Sequence, residues 1–221
     1  MLIPKEIENE ILKIKPCYFP NAFPGIFSWG ELENLLNLRP FVNGARFKII
    51  NDKPYTWNRQ AWMSDANCFP PSLLEKELKQ YHCYFIDASR VNKSVNSMSG
   101  ELEKLFEGSA VDAHIYFTVS DNLDGGFGIH WDHSHNLIVQ VEGSTRFLLW
   151  DHYANNSADD RFADVMNMDP LYDIVLNPGD AVFVPLRCYH KASSQTKRMS
   201  VSFPISIDAN VPSQDRHWIK L

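Results

Sequence analysis

The second half of the chain is a series of short apolar runs, rich in β-branched and aromatic residues, which turn-forming segments separate. From about residue 111 the runs are, in order, AHIYFTV, NLIVQVEG, TRFLLW, DIVLNPGD, AVFVPL and RMSVSFPI. Segments such as SDNLDGG, EGS and SSQTK lie between them. Closely spaced strands with this punctuation are typical of an antiparallel sandwich or barrel. We therefore expect a mainly β fold with its barrel core at residues 111–207.

Residues 1–110 have a mixed pattern that predicts helices packed outside this barrel. Apolar residues at helical spacing predict a short helix over residues 5–15. Ser28 and Ser72 are each followed three residues later by Glu, a capping-box pattern that predicts two further helices. ARFKIIN and YHCYFID are strand candidates, and GELEKLFEG (residues 100–108) is a helix candidate that a glycine ends.

The length of 221 residues predicts a single domain over residues 1–221, in which residues 208–221 form a C-terminal tail. The formal net charge of −6 argues against a protein whose main function is to bind the phosphates of a nucleic acid, so we expect no nucleic-acid partner. No apolar run approaches a membrane span, and the charged N-terminal segment does not resemble a signal peptide. We expect a cytoplasmic protein without a membrane partner, and a homodimer is compatible with the sequence.

Four scattered cysteines without a C-x-x-C pair predict reduced thiols rather than a disulfide scaffold or a cysteine zinc site. The candidate metal-binding residues lie instead mainly in the segment GGFGIHWDHSHNLIVQVEG. His130 and Asp132 are two residues apart, so on a strand both side chains would leave the same face, with Trp131 pointing away. His190, at the end of GDAVFVPLRCYH, is the natural third donor. Two imidazoles and one carboxylate on one face leave metal positions open, as in non-haem Fe(II) oxygenases.

Alternatives to this metal site remain open at the level of the residues. Zinc also accepts two histidines and one carboxylate, and Asp132 could simply hold His130 in one tautomer. His133 and His135 share the opposite strand face, which favours a solvated or supporting role over a rival metal site.

The spacing of these residues is similar to the two motifs of cupin barrels. His130, Asp132, Asn136 and Gly143 keep the spacing of the first motif, H-x-H, three or four residues, E, six residues, G, with Asp and Asn replacing the second His and the Glu. The second motif runs G, five residues, P-x-G, two residues, H. Gly179, Pro185 and His190 match it, and Arg187 stands where the glycine would be. The resemblance implies a double-stranded β-helix, the cupin or jelly-roll barrel.

Within that superfamily, residues 80–205 resemble the JmjC-like 2-oxoglutarate oxygenases, notably bacterial ribosomal oxygenases and asparaginyl hydroxylases. The family pattern NlYlTP, a glycine turn, then HxDxxxxF/LxxQxxGxKRW resembles AHIYFTV, GGFGIHWD and HNLIVQVEGSTRFLLW, and NPGDAVFVPLRCYH follows. Carried over by position, the resemblance makes His130, Asp132 and His190 the Fe(II) ligands. It also makes Tyr116 and Asn136 candidates for contacting the cosubstrate, 2-oxoglutarate.

One position departs from the family pattern. The family places Lys or Arg two residues after the glycine of GxKRW, where it binds the distal carboxylate of 2-oxoglutarate; here that position is Thr145. A neutral hydroxyl cannot supply the charge-assisted pair that a carboxylate prefers. Arg146 should point to the opposite face of its strand, whereas Arg198 and Ser200 share one face after the His190 strand, like the R-x-S pair of other 2-oxoglutarate oxygenases. Arg198 is therefore the candidate replacement, unless it is only an exposed strand-end charge.

The resemblance implies an enzyme that uses Fe(II), 2-oxoglutarate and O2 to hydroxylate a C–H bond of an amino-acid side chain. Because the chain ends soon after the barrel, we expect a free amino acid, a peptide or a small molecule as substrate rather than a ribosomal protein. Three alternatives remain: a metal-dependent cupin dioxygenase or isomerase that does not use 2-oxoglutarate, which Thr145 favours, a non-catalytic cupin binding module, and a structural zinc site.

Overall fold

The computed structural model describes residues 3–38, 47–50, 71–90, 92–121, 128–155 and 165–207. The C-terminal tail expected at residues 208–221 lies outside these ranges. The four α-helices of the described ranges are α1 (Lys5–Ile11), α2 (Trp29–Asn37), α3 (Pro71–Gln80) and α4 (Lys93–Leu105), and Ala88–Arg90 form a short 3₁₀ helix. Their strands are β1 (Cys17–Phe19), β2 (Phe47–Ile50), β3 (His82–Phe85), β4 (Ala110–Val111), β5 (His114–Thr118), β6 (His135–Glu142), β7 (Thr145–Tyr153), β8 (Tyr172–Leu176), β9 (Ala181–Val184), β10 (Cys188–Ser193) and β11 (Arg198–Ser206).

The strands form two antiparallel sheets that face each other, which confirms the mainly β barrel predicted from the sequence. The larger sheet has the order β1-β9-β6-β11-β5-β3-β2, with β4 also paired to β11; the smaller has the order β10-β7-β8. Alternate residues of β6, β9 and β11 face the interior because side chains alternate across a strand. Apolar residues of β7, β8, β9 and β10 fill one part of the space between the sheets: Phe147, Leu149, Leu176, Val182, Val184 and Cys188.

The helices cover the outer face of the larger sheet, as expected. Ile7 and Ile11 of α1, Leu32 of α2 and Met98 and Leu102 of α4 belong to one apolar cluster with the outward side chains of that sheet. None of the described helices is both long enough and apolar enough to cross a bilayer.

Three helix boundaries differ from the sequence prediction. The first helix ends at Ile11, four residues before the predicted end. The third begins at Pro71, so Ser72 lies inside it rather than capping it. The fourth begins seven residues before Gly100, because the side chain of Asn92 accepts from the backbone N–H of Val95 at 3.0 Å and caps the helix there. At Ser28 the predicted cap is confirmed: the hydroxyl accepts from the N–H of Glu31 at 3.4 Å.

Candidate metal centre

His130 lies next to His190 because their backbones form an isolated antiparallel bridge. The N–H of His130 donates to the carbonyl of His190 at 3.0 Å, and the N–H of His190 donates back at 2.9 Å. The ring centroids are 4.2 Å apart. The expectation that residues 130–132 form a regular strand is wrong, since the chain leaves the pairing after His130. Asp132 is held instead through its carbonyl, which accepts from the N–H of Arg187 at 3.0 Å.

The three predicted ligand side chains come together in space although 60 residues separate the first from the last. One ligand atom from each of His130, Asp132 and His190 lies within 4.8 Å of the other two. His190 Nε2 lies 3.5 Å from Asp132 Oδ2. Two imidazole nitrogens and a carboxylate oxygen suit a first-row divalent metal and leave further coordination positions open.

Both imidazoles are oriented by backbone carbonyls. His130 Nδ1 lies 3.1 Å from the carbonyl of Gly128, and His190 Nδ1 lies 3.0 Å from the carbonyl of Cys188. An Nδ1–H that donates to a carbonyl leaves the Nε2 lone pair available, which is the usual arrangement of metal-binding histidines. Burial, and then the neighbouring His130, lower the pKa of His190, so its ring is held in the neutral form that binds a metal.

Asn136 contacts the carboxylate of the cluster. Its Nδ2 donates to Asp132 Oδ2 at 2.7 Å, and its Oδ1 accepts from the hydroxyl of Ser202 at 3.2 Å. The resemblance suggests Asn136 for the cosubstrate, but Asn136 is not among the residues that line the cavity next to the cluster. In this position it orients Asp132.

A cavity of about 280 Å³ opens directly beside the three side chains. Tyr116, Thr145, Arg198 and Ser200, four of the five positions considered for the cosubstrate in the sequence, line it together with His130, Asp132 and His190. Trp131 also lines it, contrary to the expectation that its ring points away. Ile138, Phe147 and Leu176 supply part of an apolar wall.

Arg198 is a buried cation on this wall. Its side chain is only 5% exposed, and Nη1 donates to the hydroxyl of Ser200 at 3.0 Å. Among the described residues, Nε finds no hydrogen-bond acceptor. Burial lowers the pKa of the guanidinium to about 10, which leaves it protonated at neutral pH. Arg146, by contrast, is exposed and forms a two-bond ion pair with Asp173.

Two further polar atoms of the cavity lack a partner in the described part of the chain, Thr145 Oγ1 and Gln140 Oε1. Buried polar atoms are nearly always hydrogen-bonded, so unpaired ones around a cavity indicate a polar ligand. A guanidinium N–H and a hydroxyl on one wall fit a carboxylate, which accepts from both. The cavity therefore fits a dicarboxylate that reaches from Arg198 to the His-Asp-His cluster.

Tyr84 and Gln140 line the cavity but are not singled out by the sequence analysis. Tyr84 on β3 lies opposite Tyr116 of β5, with ring centroids 5.0 Å apart. No local pattern marks Tyr84, because this pairing brings together residues 32 positions apart in the chain. Gln140 had a signal, since it occupies the glutamine of the HxDxxxxF/LxxQ pattern.

A protein-family model described as the JmjC domain matches residues 86–212. Curated relatives include two proteins named bifunctional lysine-specific demethylase and histidyl-hydroxylase NO66. That of Drosophila willistoni is 30% identical over 155 residues, 67% of this chain and 20% of its own length. That of Brugia malayi is 28% identical over 207 residues, 89% of this chain and 28% of its own length. The chain thus spans well under a third of these relatives.

Solved structures of the Escherichia coli ribosomal oxygenase YcfD share the fold. One superposes with a TM-score of 0.64 at 16% identity and covers 89% of this chain and 50% of that one. A complex of the same protein with cobalt and 2-oxoglutarate superposes with a TM-score of 0.62, again at 16% identity, over 89% and 49% of the two chains.

Proposed function

Because this chain belongs to the JmjC domain family, we propose that it is an Fe(II)- and 2-oxoglutarate-dependent hydroxylase that oxidises a C–H bond of an amino-acid side chain. The observation that carries the proposal is one cavity that contains both the His-Asp-His cluster and the buried, incompletely bonded guanidinium of Arg198.

His130, Asp132 and His190 are the residues that would hold the metal. Bound Fe(II), with 2-oxoglutarate as cosubstrate, supplies the activation of O2 that an unactivated carbon requires. The chain's own part is to prepare the ligands: the carbonyls of Gly128 and Cys188 set the tautomers of the two imidazoles. Asn136 fixes the carboxylate of Asp132, so all three donors are oriented before a metal arrives.

Arg198 is the anchor for the distal carboxylate of 2-oxoglutarate in this proposal. Its unpaired Nε–H, and the neighbouring hydroxyl of Thr145, supply donors for that carboxylate. Ser200 holds the guanidinium at Nη1 and so fixes its direction. Tyr116 of β5 lies opposite Ser200 in the pairing with β11 and lines the same cavity. The positive charge that the family pattern puts at position 145 has therefore moved to β11.

The substrate is proposed to be an amino-acid side chain, free or within a peptide or protein. The names of the relatives refer to lysine and histidine residues, and that of YcfD to the ribosome. We propose that the whole of residues 1–221 forms one JmjC-like domain that acts in the cytoplasm.

The test is anaerobic titration of 2-oxoglutarate into the Fe(II)-loaded protein, followed by the weak visible charge-transfer band of the chelate. We expect a band in the wild type and none in His130→Ala. Arg198→Ala should raise the half-saturating 2-oxoglutarate concentration at least tenfold, because a charge-assisted hydrogen bond contributes about 1.5–3 kcal/mol. Arg146→Ala, whose partner lies on the exposed face, should bind like the wild type.

Two results would contradict the proposal in different ways. Equal effects of Arg198→Ala and Arg146→Ala would rule out Arg198 as the anchor. Binding of Fe(II) without any band would favour the alternative cupin enzyme that does not use 2-oxoglutarate.

A further inference from the structure

Outside the pairing of β6 with β9, four hydrogen bonds join the segment that carries His130 and Asp132 to the segment that carries His190. Three are between backbone groups: the two of the His130–His190 bridge, and that from the N–H of Arg187 to the carbonyl of Asp132. The fourth comes from a side chain: the N–H of Leu186 donates to His135 Nδ1 at 2.8 Å. His135 is therefore the side chain that holds the turn preceding His190.

The ring of His135 has a fixed orientation. It is 7% exposed and packs against both Phe106 and Phe183, with centroid distances of 5.9 and 5.8 Å and interplanar angles of 23° and 19°. Burial lowers the pKa of the imidazole, which favours the neutral ring. Only a neutral ring with its hydrogen on Nε2 can accept at Nδ1.

The turn that His135 holds needs an external support. The N–H of Cys188 donates to the carbonyl of Pro185 at 3.0 Å, so residues 185–188 form a tight turn. Its third residue, Arg187, has φ of +63°, where glycine or asparagine is preferred. Because this conformation is unfavourable for arginine, hydrogen bonds from outside must stabilise the turn.

We propose that His135 is a positioning residue of the metal centre, which acts through Leu186 to set the place of His190 relative to His130 and Asp132. The proposal rests on the metal site of the proposed function. It also explains why an apparently solvated histidine three residues beyond Asp132 is buried: its ring belongs to the link between the two ligand segments, not to the cavity.

The test compares two substitutions that each keep one property of the ring. His135→Phe keeps the stacking but removes the acceptor. His135→Asn loses the stacking but places Oδ1 near the position of Nδ1. Leu186→Pro removes the donor N–H at the second position of the turn, where proline is well tolerated, and provides a variant outside the aromatic stack. Co(II) affinity is measured from the visible spectrum of the bound ion, and the stability of the metal-free protein from urea unfolding.

We expect His135→Phe and Leu186→Pro to bind Co(II) at least tenfold more weakly, and His135→Asn to stay within threefold of the wild type. The two His135 variants should rank the other way in stability: without metal, His135→Phe should have a larger free energy of unfolding than His135→Asn. Metal affinity would then follow the acceptor and not the stability. Wild-type affinity in both His135→Phe and Leu186→Pro, or equal losses in His135→Phe and His135→Asn, would overturn the inference. A wild type that binds no Co(II) would instead refute the proposed metal site itself.

Discussion

Gly143 directly follows β6 and has φ of +62°. It lies against the backbone of Lys197 and Arg198. A Cβ at this position would collide with the carbonyl of Lys197 and come within 2.9 Å of Arg198 Cα. Both obstacles are backbone atoms, which cannot rotate away as the end of a side chain can. The glycine therefore permits the close approach that sets the start of β11.

Gly143→Ala is expected to weaken 2-oxoglutarate binding and to lower the free energy of unfolding by roughly 2–4 kcal/mol, the sum of left-handed strain and overpacking. Binding weakens because relief of the collision displaces Arg198. The matched control is Gly108→Ala: Gly108 has φ of +80°, but its Cβ would have nothing within 4 Å. The control should lose stability from strain alone and bind the cosubstrate normally. The two variants are compared by urea unfolding and by the charge-transfer titration; equal cosubstrate affinity in both would contradict the argument.

At the scale of single residues, the sequence predicted which three candidate ligand side chains come together, because the H-x-D pattern and a distant His resemble the cupin and JmjC motifs. It did not predict the contact of Asn136 with Asp132. The amide of Asn136 is also held by Ser202, which is 66 residues away and reaches Asn136 only through the pairing of β6 with β11. Side chains held by such long-range pairs have no local signal.

Asp180, in the turn between β8 and β9, joins three parts of the fold. Its carboxylate accepts from the N–H of Asn21 at 2.8 Å, the N–H of Asn177 at 2.8 Å and the hydroxyl of Tyr18 at 3.1 Å. The first and last of these partners hold β1 and the loop after it at the edge of the larger sheet. The carbonyl of Asp180 also accepts from the N–H of Gln140, a residue of the cavity wall.

Asp180→Asn is expected to lower the free energy of unfolding by about 1–3 kcal/mol, because an amide cannot accept from both backbone donors and leaves one unsatisfied. Tyr18→Phe, which removes only the weakest of the three bonds, should cost less. Asp173→Asn is the control: its ion pair with Arg146 is exposed, and such pairs contribute little. Urea unfolding measures all three. A loss in Asp173→Asn as large as that in Asp180→Asn would contradict this ranking.

At the scale of elements, the strands of the barrel were easier to predict than the helices outside it. Apolar runs bounded by turn residues located β5 to β9 and β11 because buried and half-buried strands impose that pattern, whereas β10 lies beyond the predicted run AVFVPL. The start of α4 was missed because KSVNSMSG is rich in Ser and Asn, which disfavour helix interiors. Its apolar residues Val95, Met98 and Leu102 lie on one face of the helix. Burial of this face against the larger sheet, and not intrinsic helix propensity, stabilises α4.

At the scale of the whole molecule, closing the barrel buries histidines away from water. His190 and His135 are 3% and 7% exposed, and His114, the first residue of β5, is half-buried beside Asp112. Burial is the main cause that lowers the pKa of each below the ordinary value of 6.5. In the unfolded chain the same rings bind a proton near pH 6.5. Below that pH the unfolded state therefore binds more protons than the folded state.

Because of this difference in proton binding, the free energy of unfolding decreases as the pH falls below about 6.5. Above that pH these histidines do not change it. The slope is at most about 1.4 kcal/mol per pH unit for each histidine that stays neutral in the folded state.

We expect the free energy of unfolding of the metal-free protein to be flat from pH 8 to 7 and to decrease steadily from pH 6.5 to 5, as measured by urea unfolding at each pH. His135→Asn should make the decrease shallower, whereas substitution of the exposed His133 by Gln should leave the profile unchanged. A profile that stays flat down to pH 5, or that His133→Gln alters as much as His135→Asn, would show that burial of these rings does not control the acid limit of the fold.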